Sequence, residues 1–200
     1  MGKVWNVKKQ DLEQVEALSK KFRVSVPLAQ MLVAKGIDES GVDEFLNPDL
    51  DKLHDPYDLP DMKRLVDRVL KARENNEKIV IYGDYDVDGI TSITVLKKFL
   101  SERGLETGYY IPNRLKEGYG LNKEAIQEII EQKYTLMITV DCGISGIEEV
   151  KTCNELGIDV IITDHHEQLD ELPNAYAIID AKRKDNTYPF RGLAGCRSSF

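Results

Sequence analysis

Short runs rich in β-branched residues recur at 78–83, 107–111, 135–140, 159–163 and 175–179, and the stretches between them carry apolar residues at helical spacing. Helices are expected from Met62 through the charged run ending at Glu77, and over 90–100, 122–132 and 145–156. Runs this apolar fit strands covered on both faces, and a helix between each pair leaves room for a right-handed crossover. The expected fold is therefore α/β, a mostly parallel, doubly wound sheet of about five strands.

The 200 residues suffice for one good core with a small helical addition. That addition is expected at residues 1–59. Residues 11–20 are periodic, Pro27 opens a helix over 28–35 that stops at Gly36, and Ser40 caps a turn ending at Leu46. Pro48, Pro56 and Pro60 among aspartates make 47–60 a linker-like stretch, so the main domain is expected over 60–200. No apolar run approaches the roughly 18 residues of a membrane span, and the N-terminus has neither a signal-peptide core nor the Ser or Thr of a myristoylation signal, since Asn6 stands there. Cys142, Cys153 and Cys196 form no CxxC and no even disulfide framework, which points to free thiols and the cytoplasm. The net charge of −8 argues against wholesale coating by nucleic acid but not against a local groove. A site built from many carboxylates would also produce it.

Ligands of open parallel sheets sit beyond the carboxyl ends of the strands, and the polar residues gather there. Asp84, Asp86 and Asp88 follow the first run, Asp141 the third, and Asp164, His165 and His166 the fourth. One such Asp is ordinarily a helix cap or a loop residue. Carboxylates converging from three strands repel one another unless a cation or raised pKa values offset the charge, and a metal is the simpler answer. Carboxylate oxygen with imidazole nitrogen and no thiolate favours Mn²⁺, or Mg²⁺, over structural zinc. A pair of ions about 3.5–4 Å apart, bridged by one Asp, suits in-line displacement at phosphorus.

Asp84-Tyr-Asp-Val-Asp-Gly89 also spells the start of an EF-hand loop, but Val95 stands where its last ligand should be and a strand precedes it instead of a helix. Thr91 and Ser92 are expected in the first turn of the next helix, either as caps or as contacts to a substrate phosphate; Gly143 and Ser145 repeat the pattern after Asp141. In the loop 112–122, Arg114 could fork onto a phosphate and Tyr119 could stack on a base, or both could belong to an ordinary turn. Lys182, Arg183, Lys184 and Arg191 read as a solvated basic cluster, His54 as a surface residue without a partner, and Cys142 as a small buried neighbour of Asp141.

Ile81-Tyr-Gly-Asp-Tyr-Asp-Val-Asp-Gly-Ile-Thr-Ser92, Val140-Asp-Cys-Gly143 and Asp164-His-His166, in that order, resemble the first three motifs of the DHH phosphoesterases. Residues 22–60 and 112–122 are similar to the bacterial single-strand-specific DNA exonucleases of that family, so the resemblance covers nearly the whole chain. It implies that Asp86, Asp88, Asp141 and His165 hold the two ions with Asp141 as the bridge. Asp84 would support them, and His166 would orient or protonate near the scissile phosphate, with Asp164 beside it. It further implies processive 5′-to-3′ hydrolysis of single-stranded DNA in recombination and repair, with a helicase or single-strand-binding protein as further partners.

Similar motifs also serve hydrolases of short oligonucleotides, cyclic dinucleotides and pyrophosphate, and a catalytically silent fragment binding metal or nucleic acid is a second possibility. Two departures from the family pattern bear on this. Tyr82 occupies a place where many relatives carry a histidine ligand, and residues 196–200 do not resemble the small, apolar helix start that usually follows Leu193-Ala-Gly195 on the way to a further metal aspartate and a second domain. Truncation or a frameshift is the expected cause, with Asp180 as a less suited stand-in for the missing carboxylate.

Overall fold

A computed structural model describes residues 11–115 and 117–198. The chain divides into two compact units, Met1–Leu53 and His54–Phe200. In the first, α1 (Leu12–Phe22), α2 (Val26–Ala34) and α3 (Val42–Leu46) enclose a small core of Val15, Leu18, Ala29, Leu32 and Val42. Asp11 caps α1 through the amides of Glu13 and Gln14, and Ser25 caps α2 with Pro27 in its first turn. Ser40 does not cap α3 as expected: Gly41 is the cap residue, and the Ser40 hydroxyl and amide both donate to Asp38. Two single 3-10 turns, Leu50–Lys52 and Pro56–Asp58, are the only regular structure between Asn47 and Pro60.

The second unit runs α4 (Met62–Glu74), β1 (Ile79–Gly83), α5 (Val87–Glu102), β2 (Thr107–Tyr110), α6 (Lys123–Glu131), β3 (Leu136–Val140), α7 (Ile147–Glu155), β4 (Asp159–Thr163), β5 (Ala177–Ile179) and α8 (Gly195–Ser198). All five strands are parallel, in the order β2-β1-β3-β4-β5. Because side chains alternate across a strand, Val80, Tyr82, Met137, Val160 and Ile162 pack against α6 and α7. Ile79, Ile81, Ile138 and Ile161 pack against α4 and α5 on the other face. The sheet is thus doubly wound, and each such buried aliphatic side chain contributes about 1.5–3 kcal/mol. Gly83 is needed where α5 crosses β1, since a Cβ there would lie 2.6 Å from Ile93 and 2.9 Å from Val140. Between α4 and α5 an apolar cleft of about 340 Å³ stays open, lined by Leu65, Val69, Leu96, Phe99 and Ile138.

Arg68, buried on α4, ties the amino ends of the strands together through Glu77 (2.7 Å) and Asp159 (2.6 Å). Arg183, buried in the segment after β5, links that segment to the start of α4 through Asp61 (2.9 Å) and also pairs with Asp185 (2.7 Å), so the basic cluster is not simply solvated. His54 also has a partner, meeting the Tyr188 ring edge-on. Among the described residues no helix is long and apolar enough to cross a membrane.

Candidate active site

Register places the site. Gly83, Val140, Thr163 and Ile179 lie level across β1, β3, β4 and β5, and the residue after each is an aspartate: Asp84, Asp141, Asp164 and Asp180. Neighbouring strands are about 4.8 Å apart, so the sheet's carboxyl edge presents a row of four acids. The strand order reverses direction between β1 and β3, the switch point at which such sheets open a crevice for ligands, and Asp84 and Asp141 flank it.

Asp84, Asp86 and Asp141 bring one carboxylate oxygen each within 4.8 Å of the others, and Asp141, His165 and His166 do the same with one oxygen and two ring nitrogens. Asp141 belongs to both groups. Its Oδ1 lies 2.9 Å from His165 Nε2 without hydrogen-bond geometry, so two potential ligand atoms sit side by side with no hydrogen bond joining them. Asp141 also has φ +60°, a left-handed conformation uncommon outside Gly, Asn and Asp, and typical of strained functional positions.

Burial, with repulsion from Asp88 and Asp86, raises the Asp141 carboxyl to about 7. Burial also raises Asp84, whose Oδ1 has no hydrogen-bond partner. Buried carboxylate oxygens left unpaired are costly, and a divalent cation would satisfy both. The residues therefore fit such an ion.

The remaining residues of the expected ligand set act around these. Asp86 caps α5, its Oδ1 accepting from the amides of Asp88 and Gly89. Asp88 lies with Oδ2 3.8 Å from His165 Nε2, but both its oxygens accept amides, those of Gly195 (2.9 Å) and Cys196 (2.8 Å). Burial would raise its pKa; those amides outweigh burial and hold it below the ordinary value. Asp164 is a positioning group: Oδ2 takes the Ile144 amide, and Oδ1 takes the amides of His165 and His166 and pairs with His166 Nδ1 at 2.7 Å. That hydrogen bond raises the His166 pKa above 6.5. Asp180 is fully buried, belongs to neither group of metal-capable residues, and is raised by burial to about 6.

Several expected roles change. α5 begins at Val87, three residues earlier than its apolar spacing suggested, so Thr91 and Ser92 lie beyond the first turn and neither caps it. Their hydroxyls donate back to the carbonyls of Val87 and Asp88, and Ser92 is completely buried. Ser145 likewise does not cap α7, whose cap position is Gly146.

Tyr119 has its hydroxyl 3.2 Å from the Asp141 carbonyl and 3.3 Å from His166 Nδ1, so it braces the centre as well as exposing a ring. Tyr82, where a histidine ligand could stand, is buried in the α6–α7 face and donates to the Gly120 carbonyl. Arg114 is exposed, its guanidinium 5.2 Å over the Tyr85 ring at the mouth of the crevice.

A doubly wound sheet with an acid and imidazole centre at its switch point defines an α/β domain able to hold divalent cations beside a crevice. The model of the DHH family N-terminal domain matches residues 78–199, and the chain belongs to that family. The chain is 41% identical over 197 residues to the single-stranded-DNA-specific exonuclease RecJ of Bacillus subtilis, covering 98% of this chain and 25% of that protein. RecJ of Escherichia coli is 36% identical over 143 residues, 71% of this chain and 25% of that one. Among solved structures, RecJ of Thermus thermophilus in complex with Mn²⁺ superposes with a TM-score of 0.70 at 26% identity, covering 95% of this chain and 26% of that one. The chain spans about a quarter of the length of these relatives.

Proposed function

We propose that the chain carries the metal-binding portion of a phosphodiesterase that hydrolyses single-stranded DNA from its 5′ end, in the cytoplasm, during recombination and repair. A helicase or single-strand-binding protein would deliver the strand. The observation that carries this reading is Asp141, buried and shared between the Asp84–Asp86 group and the His165–His166 group. The exonuclease names of the relatives support the substrate, and the manganese of the Thermus structure supports the metal. Asp84, Asp86, Asp141 and His165 would hold a pair of Mn²⁺ or Mg²⁺ ions, with Asp88 bordering them. Such a pair supplies Lewis acidity and lowers the pKa of water.

The chain's own groups do the rest. His166, its Nδ1 bound to Asp164, is held with a raised pKa and can keep a proton for a phosphate oxygen. Tyr119 fixes the position of that ring from the opposite loop. Arg114, at the crevice mouth, is placed for a phosphate.

The test is Mn²⁺-dependent release of mononucleotides from a 5′-phosphorylated single strand, with Asp86→Ala as control. Loss of about 100-fold in that variant is expected, since less direct changes around metal ligands already cost 10–100-fold; equal activity would overturn the assignment. Manganese binding without any release would favour the silent reading, which the occupation of both Asp88 oxygens by amides makes concrete. Tyr119→Phe keeps the ring and deletes the brace. A fall of roughly 2- to 10-fold in kcat at constant KM is expected, the size of one hydrogen bond; a change confined to KM would return Tyr119 to a binding role.

A further inference from the structure

α5 leads directly away from the metal-binding centre, with Asp86 as its cap, and its outer side meets the edge strand β2. Between them lies an open cleft of about 530 Å³, lined by Ile90, Thr94, Lys97, Lys98, Tyr109 and Ile111 among others, none of them acidic. Tyr109 is 60% exposed and Ile90 45%. Water-facing rings and branched chains beside a cleft are not explained by the core, whose two faces are filled from within.

Charge lines the same cleft. Lys97 and Lys98 are adjacent on α5, both border the cleft, and among the described residues neither forms an ion pair that would neutralise it. In a chain of net charge −8 two unpaired cations facing one cleft form a local positive site. At the other end, the chain runs on from β2 through Ile111 to Arg114, whose guanidinium lies over the ring of Tyr85, between Asp84 and Asp86 in sequence. A cation and an aromatic ring thus stand at the crevice mouth, Arg114 with Tyr85, and again at the cleft, Lys97 and Lys98 with Tyr109, Asp86 and Lys97 being about 16 Å apart along α5 at 1.5 Å per residue.

We propose that this α5–β2 face is the track on which a single-stranded polynucleotide lies as it leaves the metal-binding centre; the proposal rests on the nucleic-acid reading above. Unpaired bases offer apolar faces to Tyr109 and Ile90 while Lys97 and Lys98 meet the phosphates, the combination by which single strands are held without sequence preference. A duplex keeps those base faces inside and has no use for the rings. A protein strand added to the free edge of β2 would use its backbone and gain nothing from the lysines.

The test measures binding of fluorescent 5′-phosphorylated dT12 to the 200-residue chain by anisotropy over a salt series, with sedimentation in parallel. Lys97→Gln with Lys98→Gln is expected to weaken binding at least tenfold and to reduce the slope of log affinity against log salt by about 1.4, the value for two phosphate contacts on a single strand. Tyr109→Ala is expected to weaken it by roughly 5- to 150-fold, the range for one stacked base. Both changes are at the surface, and unchanged melting temperatures would show that the fold is kept. If wild type binds dT12 and the variants bind equally well, the track is wrong while the function stands. If wild type binds no dT12, the track falls, whereas the function falls only if Mn²⁺-dependent release fails as well. If the variants instead convert a dimer to a monomer with DNA affinity intact, the face is a contact between copies and the track is overturned.

Discussion

Asp141→Asn is expected to make the metal-free chain more stable at pH 8 while lowering Mn²⁺ affinity more than about 100-fold and turnover by at least about 10³-fold. The catalytic loss follows from Asp141 being shared by both ligand groups, since each divalent ion supplies several kcal/mol to phosphoryl displacement. The gain in stability follows from the raised carboxyl. A group whose folded pKa is about 7 and whose unfolded value is about 3.9 binds more protons folded than unfolded between those pH values. Stability therefore falls as pH rises from about 4 to about 7 and levels off above.

The cost at pH 8 is on the order of 2–4 kcal/mol, or roughly 5–10 °C of melting temperature for a chain of this size. Asparagine tolerates the left-handed backbone at this position, so the substitution changes charge and little else. Asp180 and His166 add to the same downward slope: Asp180 between about 4 and 6, and His166 as pH rises above 6.5 through its raised value. Asp88 and Asp164, held low, oppose it only at acid pH, where their stabilisation is lost as pH falls. Melting curves at pH 5 and pH 8 in chelator, with calorimetric Mn²⁺ titrations, check this. Identical melting at pH 8, or wild-type manganese affinity, would refute the shared-ligand assignment.

The sheet was legible because its central strands are buried on both faces, which writes β1, β3 and β4 as short, mostly apolar runs rich in β-branched residues. Their carboxyl-terminal aspartates were legible for the same reason, since a strand end is where such a run stops. Asp180 was harder to place. β5 is only three residues long, and that Asp180 stands level with Asp164 is visible only in the register of Ile179 with Thr163. The start of α5 was misplaced because Val87 and Asp88 are outside the apolar spacing, and the helix is begun by the Asp86 cap instead. Pairings across long sequence distances, such as Tyr119 with His166 or Arg183 with Asp61, leave no periodic trace at all.

Gly89→Ala is expected to destabilise the chain by about 1–3 kcal/mol and to cost around 100-fold in activity, against the expectation from helix propensity, which favours alanine by about 1 kcal/mol. Gly89 lies in the first turn of α5, and a Cβ there would meet the Asp84 backbone at O, C and N, all within 2.8 Å. Backbone atoms cannot rotate aside as a long side chain can. α5 cannot retreat either, because one turn on Ser92 is completely buried and Ile93 packs against Gly83 on β1.

The yielding element is therefore the loop Asp84–Asp86, which carries two of the three carboxylates of the Asp84–Asp86–Asp141 group. A displacement near 1 Å in such a group costs on the order of 10²-fold in rate. Thermal melting and Mn²⁺ titration of the variant separate the two effects. A variant that melts higher than wild type and binds manganese unchanged would mean that the loop is not packed against α5 as described.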